Sequence, residues 1–108
     1  MIAAEVLKTI GDTLEARKES SPSSSYVAGL FHKGEDAILK KVAEEAAEVL
    51  MASKDKDRLH LVREVADLWF HSMVLLAHHG PRAEDVLAEL KRREGISGLD
   101  EKASRPQQ

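Results

Sequence analysis

Apolar residues recur at steps of three and four along most of this chain, which is the spacing of helices that bury one face. The first set comprises Ile2, Val6, Leu7, Ile10 and Leu14. It predicts an opening helix that ends at the serine-rich segment 20–25, because Pro22 and the small polar residues around it favour a loop.

Three more helices are predicted between this loop and Gly80. A short helix runs from Ser25 to Phe31, with Ser24 or Ser25 as its cap. A long helix opens at the acidic pair Glu35-Asp36 and extends to about Lys54. A second long helix follows the turn at residues 55–57 and runs from about Arg58 to His79.

The C-terminal part shows one more helix and then a fading pattern. Gly80-Pro81 ends the second long helix, and an amphipathic helix is predicted from Glu84 to Glu94. We therefore expect a single domain over residues 1–96. We expect the tail, residues 97–108, to be poorly ordered unless another chain holds it.

Composition favours the all-α class. Of the 108 residues, 43% are hydrophobic but only 4% are aromatic, a balance that suits long helices better than sandwiches or barrels. The expected architecture is a bundle of about five helices, with the two long helices antiparallel at its centre.

The second long helix predicts an oligomer, because its apolar residues project in almost every direction. They are Leu61, Val62, Val65, Leu68, Trp69, Phe70, Met73, Val74, Leu75 and Leu76. A single protomer of this size has few elements with which to surround such a helix. We expect a homodimer in which Trp69, Phe70 and Met73 contact the partner subunit.

Charge and hydropathy exclude two classes of partner. The formal charge is −3, and the only basic run is Lys91-Arg92-Arg93, so nucleic acid is not an expected partner. The longest apolar stretch, about Leu68 to Ala77, is far shorter than the roughly 18 residues that indicate a membrane span. The chain's start shows no export signal, so we expect a cytoplasmic protein.

Five carboxylates carry the clearest sign of chemistry. Glu44, Glu45 and Glu48 lie on the first long helix, and Glu64 and Asp67 lie three residues apart on the second. Taken alone, the first group reads as a solvated face, with Lys40 and Lys41 four residues before its glutamates.

The second long helix changes that interpretation, because its acids lie on a narrow polar stripe of an otherwise apolar helix. Antiparallel packing would gather five negative charges, and two charges about 5 Å apart cost on the order of 3 kcal/mol at an effective dielectric near 20. A hard cation with oxygen ligands, Mg²⁺ or Mn²⁺, removes this conflict.

The histidines are weaker candidates. His71, four residues after Asp67, suits a core or orienting role better than a ligand role. A ferritin-like di-iron bundle would need Glu-x-x-His pairs, which the chain lacks. His78 and His79 most simply stabilise a helix C-terminus.

Four segments resemble the phosphoribosyl-ATP pyrophosphatase family within the all-α nucleoside triphosphate pyrophosphatases. They are Ser24 to Phe31 with Gly34, Lys40 to Glu48, Glu64 to Ala77, and Arg92 to Leu99. The acidic motif is shared by the superfamily, whereas the Ser-Tyr segment and the Trp-Phe-His run are specific to this family. Ala43 departs from the glycine that the family often has there, and it leaves the spacing of the acids intact.

The resemblance implies Mg²⁺-dependent hydrolysis of phosphoribosyl-ATP, a nucleotide substrate, to phosphoribosyl-AMP and pyrophosphate in the second step of histidine biosynthesis. It implies metal ligands among Glu44, Glu45, Glu48, Glu64 and Asp67, with Glu45 as the expected base. Expected substrate-binding residues are Ser25, Tyr26, Lys33, Lys40 and Lys41. The alternatives are a house-cleaning nucleoside triphosphate pyrophosphatase and a non-catalytic helical oligomerisation module.

Overall fold

A computed structural model describes residues 5–106, and every regular element within this range is a helix. The helices are α1 (Glu5–Lys18), α2 (Tyr26–Lys33), α3 (Glu35–Lys54), α4 (Arg58–His79), α5 (Ala83–Arg92) and α6 (Gly98–Ser104). The predicted all-α class is confirmed. Ile2, which the sequence pattern assigns to the first helix, lies outside the described residues.

Local signals set the start and the end of α2. The Ser25 side chain accepts a hydrogen bond of 3.0 Å from the backbone N–H of Ala28, which satisfies one free donor of the first turn. Gly34 has a φ of 97°, a conformation that glycine adopts without strain, and its N–H bonds to the carbonyls of Leu30 and Phe31. The chain therefore turns sharply from α2 into α3.

Helices α3 and α4 form the central hairpin, with bounds that match the sequence prediction. Residues 55–57 connect them, and the Asp57 side chain caps α4 by accepting a 3.1 Å hydrogen bond from the N–H of His60. Gly80, with a φ of 109°, ends α4. The short connection makes the two helices antiparallel, and they share the largest helix–helix contact among the described residues.

The core lies where α1 and α2 cover one end of this hairpin. Its largest fully buried side chains are Leu14 of α1, Ile38 of α3 and Val74 of α4. Leu30 of α2 and Ala83 of α5 join the same cluster. Each of these residues belongs to the apolar stripe of its own helix, so burial of the stripes holds five helices together.

Helix α4 is not buried on all sides within the protomer. His71, Met73, Val74 and Ala77 are buried, but 64% of Val62 and 61% of Trp69 are exposed. The sequence interpretation of an all-round buried helix therefore holds only for its second half in the single chain. Among residues 5–106, no helix is long and apolar enough to cross a bilayer.

The structure differs from the sequence prediction in the tail. Residues 98–104, which we expected to be poorly ordered, form α6, so residues 5–106 contain six helices where we expected about five. Glu101 of α6 is 5% exposed and binds Arg92 at 2.7 Å and Arg105 at 2.8 Å. The pair with Arg92 attaches α6 to α5, and apolar periodicity does not reveal such a contact.

Candidate active site

Three carboxylates from the central hairpin converge on one point. Glu45 of α3 and Glu64 and Asp67 of α4 each place a carboxylate oxygen within 4.8 Å of the other two. We call these three residues the acidic cluster. Glu45 and Glu64 are half-buried, whereas Asp67 is exposed. Antiparallel packing of α3 on α4 brings together residues that lie about 20 positions apart in the sequence.

The other two predicted ligands lie beside this cluster but not in it. Glu44 faces the lysines that precede it, with Oε2 at 3.3 Å from Lys41 Nζ and Oε1 at 4.0 Å from Lys40 Nζ. Glu48 is exposed, one helical turn after Glu45 on the same side of α3. Their roles as ligands stay predictions.

Lys41 offsets part of the negative charge at the cluster's edge. Its Nζ lies 3.5 Å from Glu45 Oε1 in addition to its bond with Glu44. The hydrogen bond with Glu44 is the main cause that raises the pKa of Lys41, with smaller Coulombic contributions from Tyr26, Glu44 and Glu45. Lys41 is therefore a stable cation placed between the cluster and Tyr26.

Tyr26 and His71 form a hydrogen-bonded chain that ends on the backbone of Asp67. The hydroxyl of Tyr26 lies 2.8 Å from His71 Nε2, and His71 Nδ1 lies 2.9 Å from the main-chain carbonyl of Asp67. Because a carbonyl only accepts, Nδ1 carries the proton and donates, which leaves Nε2 to accept from the hydroxyl of Tyr26. Buried His71 thus fixes the position of a tyrosine whose ring is partly exposed.

The surroundings of Tyr26 raise a pKa that already keeps its hydroxyl protonated at neutral pH. Burial of the hydroxyl raises its pKa above the ordinary value, Lys41 lowers it, and the charges of Glu45 and Glu44 raise it further. The net shift is upward. Tyr26 is therefore a neutral phenol at the edge of the cluster, and its one proton is donated to His71.

His60 is a neighbour of the cluster to which sequence reasoning assigns no role. Its Nε2 lies 3.4 Å from Glu64 Oε1, one turn earlier on α4. The i, i+4 spacing of His60 and Glu64 is the only sequence signal for this contact. Many surface pairs have the same spacing, so it does not mark His60 as a neighbour of the cluster. His71 fills a core position, which is one of the two roles expected for it, and its Nδ1 contacts a backbone carbonyl and not a carboxylate side chain.

The remaining predicted substrate-binding residues lie near the surface. Ser25 uses its hydroxyl oxygen to cap α2 immediately before Tyr26. Lys40 is 77% exposed along its side chain, and Lys33 ends α2 as an exposed residue. The structure therefore brings Tyr26 and Lys41 to the cluster and leaves Lys33 and Lys40 on the surface.

The donor set of the cluster suits a hard cation. It offers carboxylate oxygens alone, which Mg²⁺ and Mn²⁺ prefer, and no thiolate. Oxygens around an octahedral Mg²⁺ lie about 2.9 to 4.1 Å apart, as bond lengths near 2.1 Å require. The three oxygens lie within 4.8 Å of one another, so metal binding needs at most a small contraction.

This geometry defines a class of protein: an all-α protein whose central hairpin holds an oxygen-only carboxylate site flanked by a lysine and a tyrosine. Residues 7–94 match the model of the family described as phosphoribosyl-ATP pyrophosphohydrolase. The chain belongs to that family and is a hydrolase.

Curated relatives cover almost the whole chain and bear the name phosphoribosyl-ATP pyrophosphatase. The one from Chromobacterium violaceum is 82% identical over 101 residues, which is 94% of each chain. The one from Neisseria gonorrhoeae is 69% identical over 100 residues, covering 93% of this chain and 94% of its own length. The one from Azoarcus sp. is 65% identical over 105 residues, covering 97% and 98%. These matches support phosphoribosyl-ATP pyrophosphatase activity in histidine biosynthesis.

Proposed function

We propose that this chain hydrolyses phosphoribosyl-ATP to phosphoribosyl-AMP and pyrophosphate, as the second step of histidine biosynthesis, and that the reaction requires Mg²⁺, for which Mn²⁺ can substitute. The observation that carries the proposal is the acidic cluster itself, Glu45, Glu64 and Asp67, within a chain that belongs to this family. A cytoplasmic location is part of the same proposal.

Glu45, Glu64 and Asp67 would hold the cation. Glu48 shares the side of α3 that carries Glu45, so it is the next carboxylate within reach of the ion, and Glu44 is a further one. A bound Mg²⁺ supplies charge neutralisation at the phosphates and makes a water molecule more acidic. The repulsion within the cluster supports this proposal, since a cation would relieve it.

The chain's own residues then divide the remaining tasks. A carboxylate oxygen of the cluster that does not bind the cation accepts the proton of the attacking water, and Glu45 is our choice for this base. Lys41 lies at 3.5 Å from Glu45, so it can stabilise negative charge on a phosphate that enters beside the cluster.

Tyr26 offers its hydroxyl oxygen as an acceptor for a ribose hydroxyl on the same side, since its own proton is donated to His71. Its hydroxyl stays protonated, and His71 holds it in place. Ser25 fixes the first turn of α2 and so the direction from which Tyr26 enters the site. Lys33 and Lys40 are exposed cations for the outer parts of a substrate that carries several phosphates.

A homodimer is the second part of the proposal, and α4 supports it. Its exposed residues Leu59, Val62, Ala66 and Trp69 follow steps of three, four and three, which is the seam of a helix that packs on another helix. The same stripe continues into Met73 and Leu76, which line an apolar groove between α1, α4 and α5. A second copy of the chain that covers this seam would complete the burial predicted from the sequence.

Pyrophosphate release from phosphoribosyl-ATP tests the activity, measured with and without Mg²⁺ and with ATP as a control substrate. We expect metal-dependent turnover of phosphoribosyl-ATP alone. Equal turnover of ATP would favour a broader nucleoside triphosphate pyrophosphatase. Turnover of neither substrate would refute the proposal. It would favour the alternative in which the carboxylates form a charged surface of an oligomerisation module.

A further inference from the structure

A second group of possible metal ligands lies at the end of the central hairpin that is farther from the connection at residues 55–57. Glu35 is the first residue of α3, and His78 and His79 are the last residues of α4. One ligand atom from each of the three lies within 4.8 Å of the others. His79 Nε2 is 2.8 Å from Glu35 Oε2, and the two imidazole rings meet edge to face with centroids 5.1 Å apart.

We propose that Glu35, His78 and His79 form a second divalent-metal site, selective for borderline cations such as Zn²⁺. Two imidazole nitrogens and one carboxylate oxygen are a donor set that suits Zn²⁺, Ni²⁺ and Cu²⁺. Mg²⁺ prefers oxygen ligands and is a poor competitor for such a site. Water would fill the remaining coordination positions.

This site is separate from the acidic cluster. Glu45 follows Glu35 by ten positions on α3, and His79 follows Asp67 by twelve positions on α4. At 1.5 Å per residue these segments span about 15 and about 18 Å, so the two sites share no ligand. Their donor types also differ, since the cluster offers only oxygen.

The geometry allows an ion to enter with little rearrangement. The side chains of Glu35 and His79 are 45% and 55% exposed, and His78 is exposed as well. The existing contact between Glu35 and His79 already holds the two helix ends together, so the ligands start close to their bound positions. A bound cation would replace that contact and link the start of α3 to the end of α4.

Isothermal titration with Zn²⁺, in the presence of saturating Mg²⁺ to occupy the acidic cluster, tests the proposal on the full chain. We expect one Zn²⁺ per chain in the wild type. His78→Ala, His79→Ala and Glu35→Gln should each weaken binding by at least about tenfold, because each removes one of three ligands. His32→Ala is the matched control, because this exposed histidine lies on α2 and outside the group.

Thermal unfolding with Zn²⁺ gives a second readout. The unfolding midpoint of the wild type and of His32→Ala should rise with Zn²⁺, since the ion binds only the folded hairpin end, and the rise should disappear in His79→Ala. Unchanged Zn²⁺ stoichiometry and affinity in the double variant His78→Ala/His79→Ala would overturn the proposal. Complete loss of Zn²⁺ binding in saturating Mg²⁺ would overturn it as well.

Discussion

The hydroxyl of Tyr26 donates a 2.8 Å hydrogen bond to Nε2 of His71, and this bond joins the start of α2 to the middle of α4 beside the acidic cluster. His71 is 7% exposed, so its acceptor nitrogen depends on that hydroxyl. The pairing therefore serves the fold and the site at once, because it orders the hydroxyl oxygen that we propose as a substrate contact.

Tyr26→Phe should destabilise the protein, because it leaves the acceptor of His71 without its donor. We expect a loss of about 0.5 to 1.5 kcal/mol in the free energy of unfolding, and a fall in kcat/KM. Urea denaturation measures the first and pyrophosphate release the second. In a double-mutant cycle with His71→Leu, the two substitutions should couple by about 1 kcal/mol, and additive effects would contradict the pairing.

Asp67→Asn should abolish turnover and leave the fold intact. The substitution removes one negative charge from a cluster whose oxygens lie within 4.8 Å of one another. We expect kcat/KM to fall by at least about 100-fold and the metal-free protein to unfold at an equal or higher urea concentration, since repulsion is relieved. Asp36→Asn is the control, because Asp36 is exposed in the first turn of α3, and this variant should retain activity.

Glu48→Gln tests whether three or four carboxylates bind the cation. Glu48 is exposed and lies one turn after Glu45, so we propose that it moves toward the cation only when the cation is present. The variant should need a higher Mg²⁺ concentration for half-maximal activity, and excess Mg²⁺ should restore much of its kcat. An unchanged Mg²⁺ dependence would remove Glu48 from the ligand set.

The hairpin could be predicted from the sequence because every signal agreed. Glu35-Asp36 opens α3, Asp57 caps α4, and Gly80 ends it, so that the observed bounds equal the predicted ones. Helix α6 could not be predicted in this way. It is held by the contact of buried Glu101 with Arg92 of α5. A charged residue that is buried against a charged partner does not add to the apolar pattern from which helices are predicted.

The site was predictable only at the level of the helix face. Spacing placed Glu45, Glu64 and Asp67 on facing stripes, and packing then brought their oxygens together. The partners of Tyr26 could not be predicted, because no sequence pattern relates positions 45 residues apart to one hydrogen bond. Side-chain rotamers likewise decide whether Glu44 points to Lys41 or to the cluster, and spacing does not fix them.

Gly11 makes room for the contact between α1 and α5. A Cβ at this position would lie 2.8 Å from Arg82 Nη2, which bonds to Asp12 Oδ1 at 2.7 Å. Gly11→Ala should be nearly neutral in the wild type, because about 1 kcal/mol of improved helix propensity is offset by displacement of the guanidinium. In an Arg82→Ala background the same substitution should stabilise, and urea denaturation of the four proteins measures the difference. Equal effects in both backgrounds would contradict this account.

Acidification should release α6. Hydrogen bonds from Arg92 and Arg93 lower the pKa of Glu89 to about 2, and those from Arg105 and then Arg92 lower the pKa of Glu101. The carboxylate of Glu101 therefore stabilises the docked state fully above its ordinary pKa of 4.5, and this contribution is lost as the pH falls through the lowered pKa. The backbone amide signals of residues 98–104 should therefore stay constant from pH 7 to about 4.5 and shift below it.

Two variants at neutral pH separate this local event from general acid unfolding. Glu101→Gln should release α6 at pH 7, because it removes the charge that Arg92 and Arg105 share. Glu94→Gln breaks only an exposed pair with Lys91 and should leave the amide signals of α6 unchanged. An α6 that stays docked in Glu101→Gln would show that these ion pairs do not hold it.

Trp69→Arg should convert the proposed homodimer into a monomer. Trp69 is 61% exposed in the protomer and occupies the centre of the apolar seam on α4, so a second copy of the chain would bury it. Loss of such an aromatic contact typically costs at least about 2 kcal/mol, which raises the dissociation constant about 30-fold, and the buried arginine adds a desolvation cost. Light scattering over a range of micromolar concentrations measures the change.

Leu99→Arg, at an 84% exposed position on α6 outside the groove, is the matched control and should remain dimeric. A wild type that is monomeric at these concentrations would refute the dimer, and a Trp69→Arg variant as dimeric as Leu99→Arg would place the interface on another face.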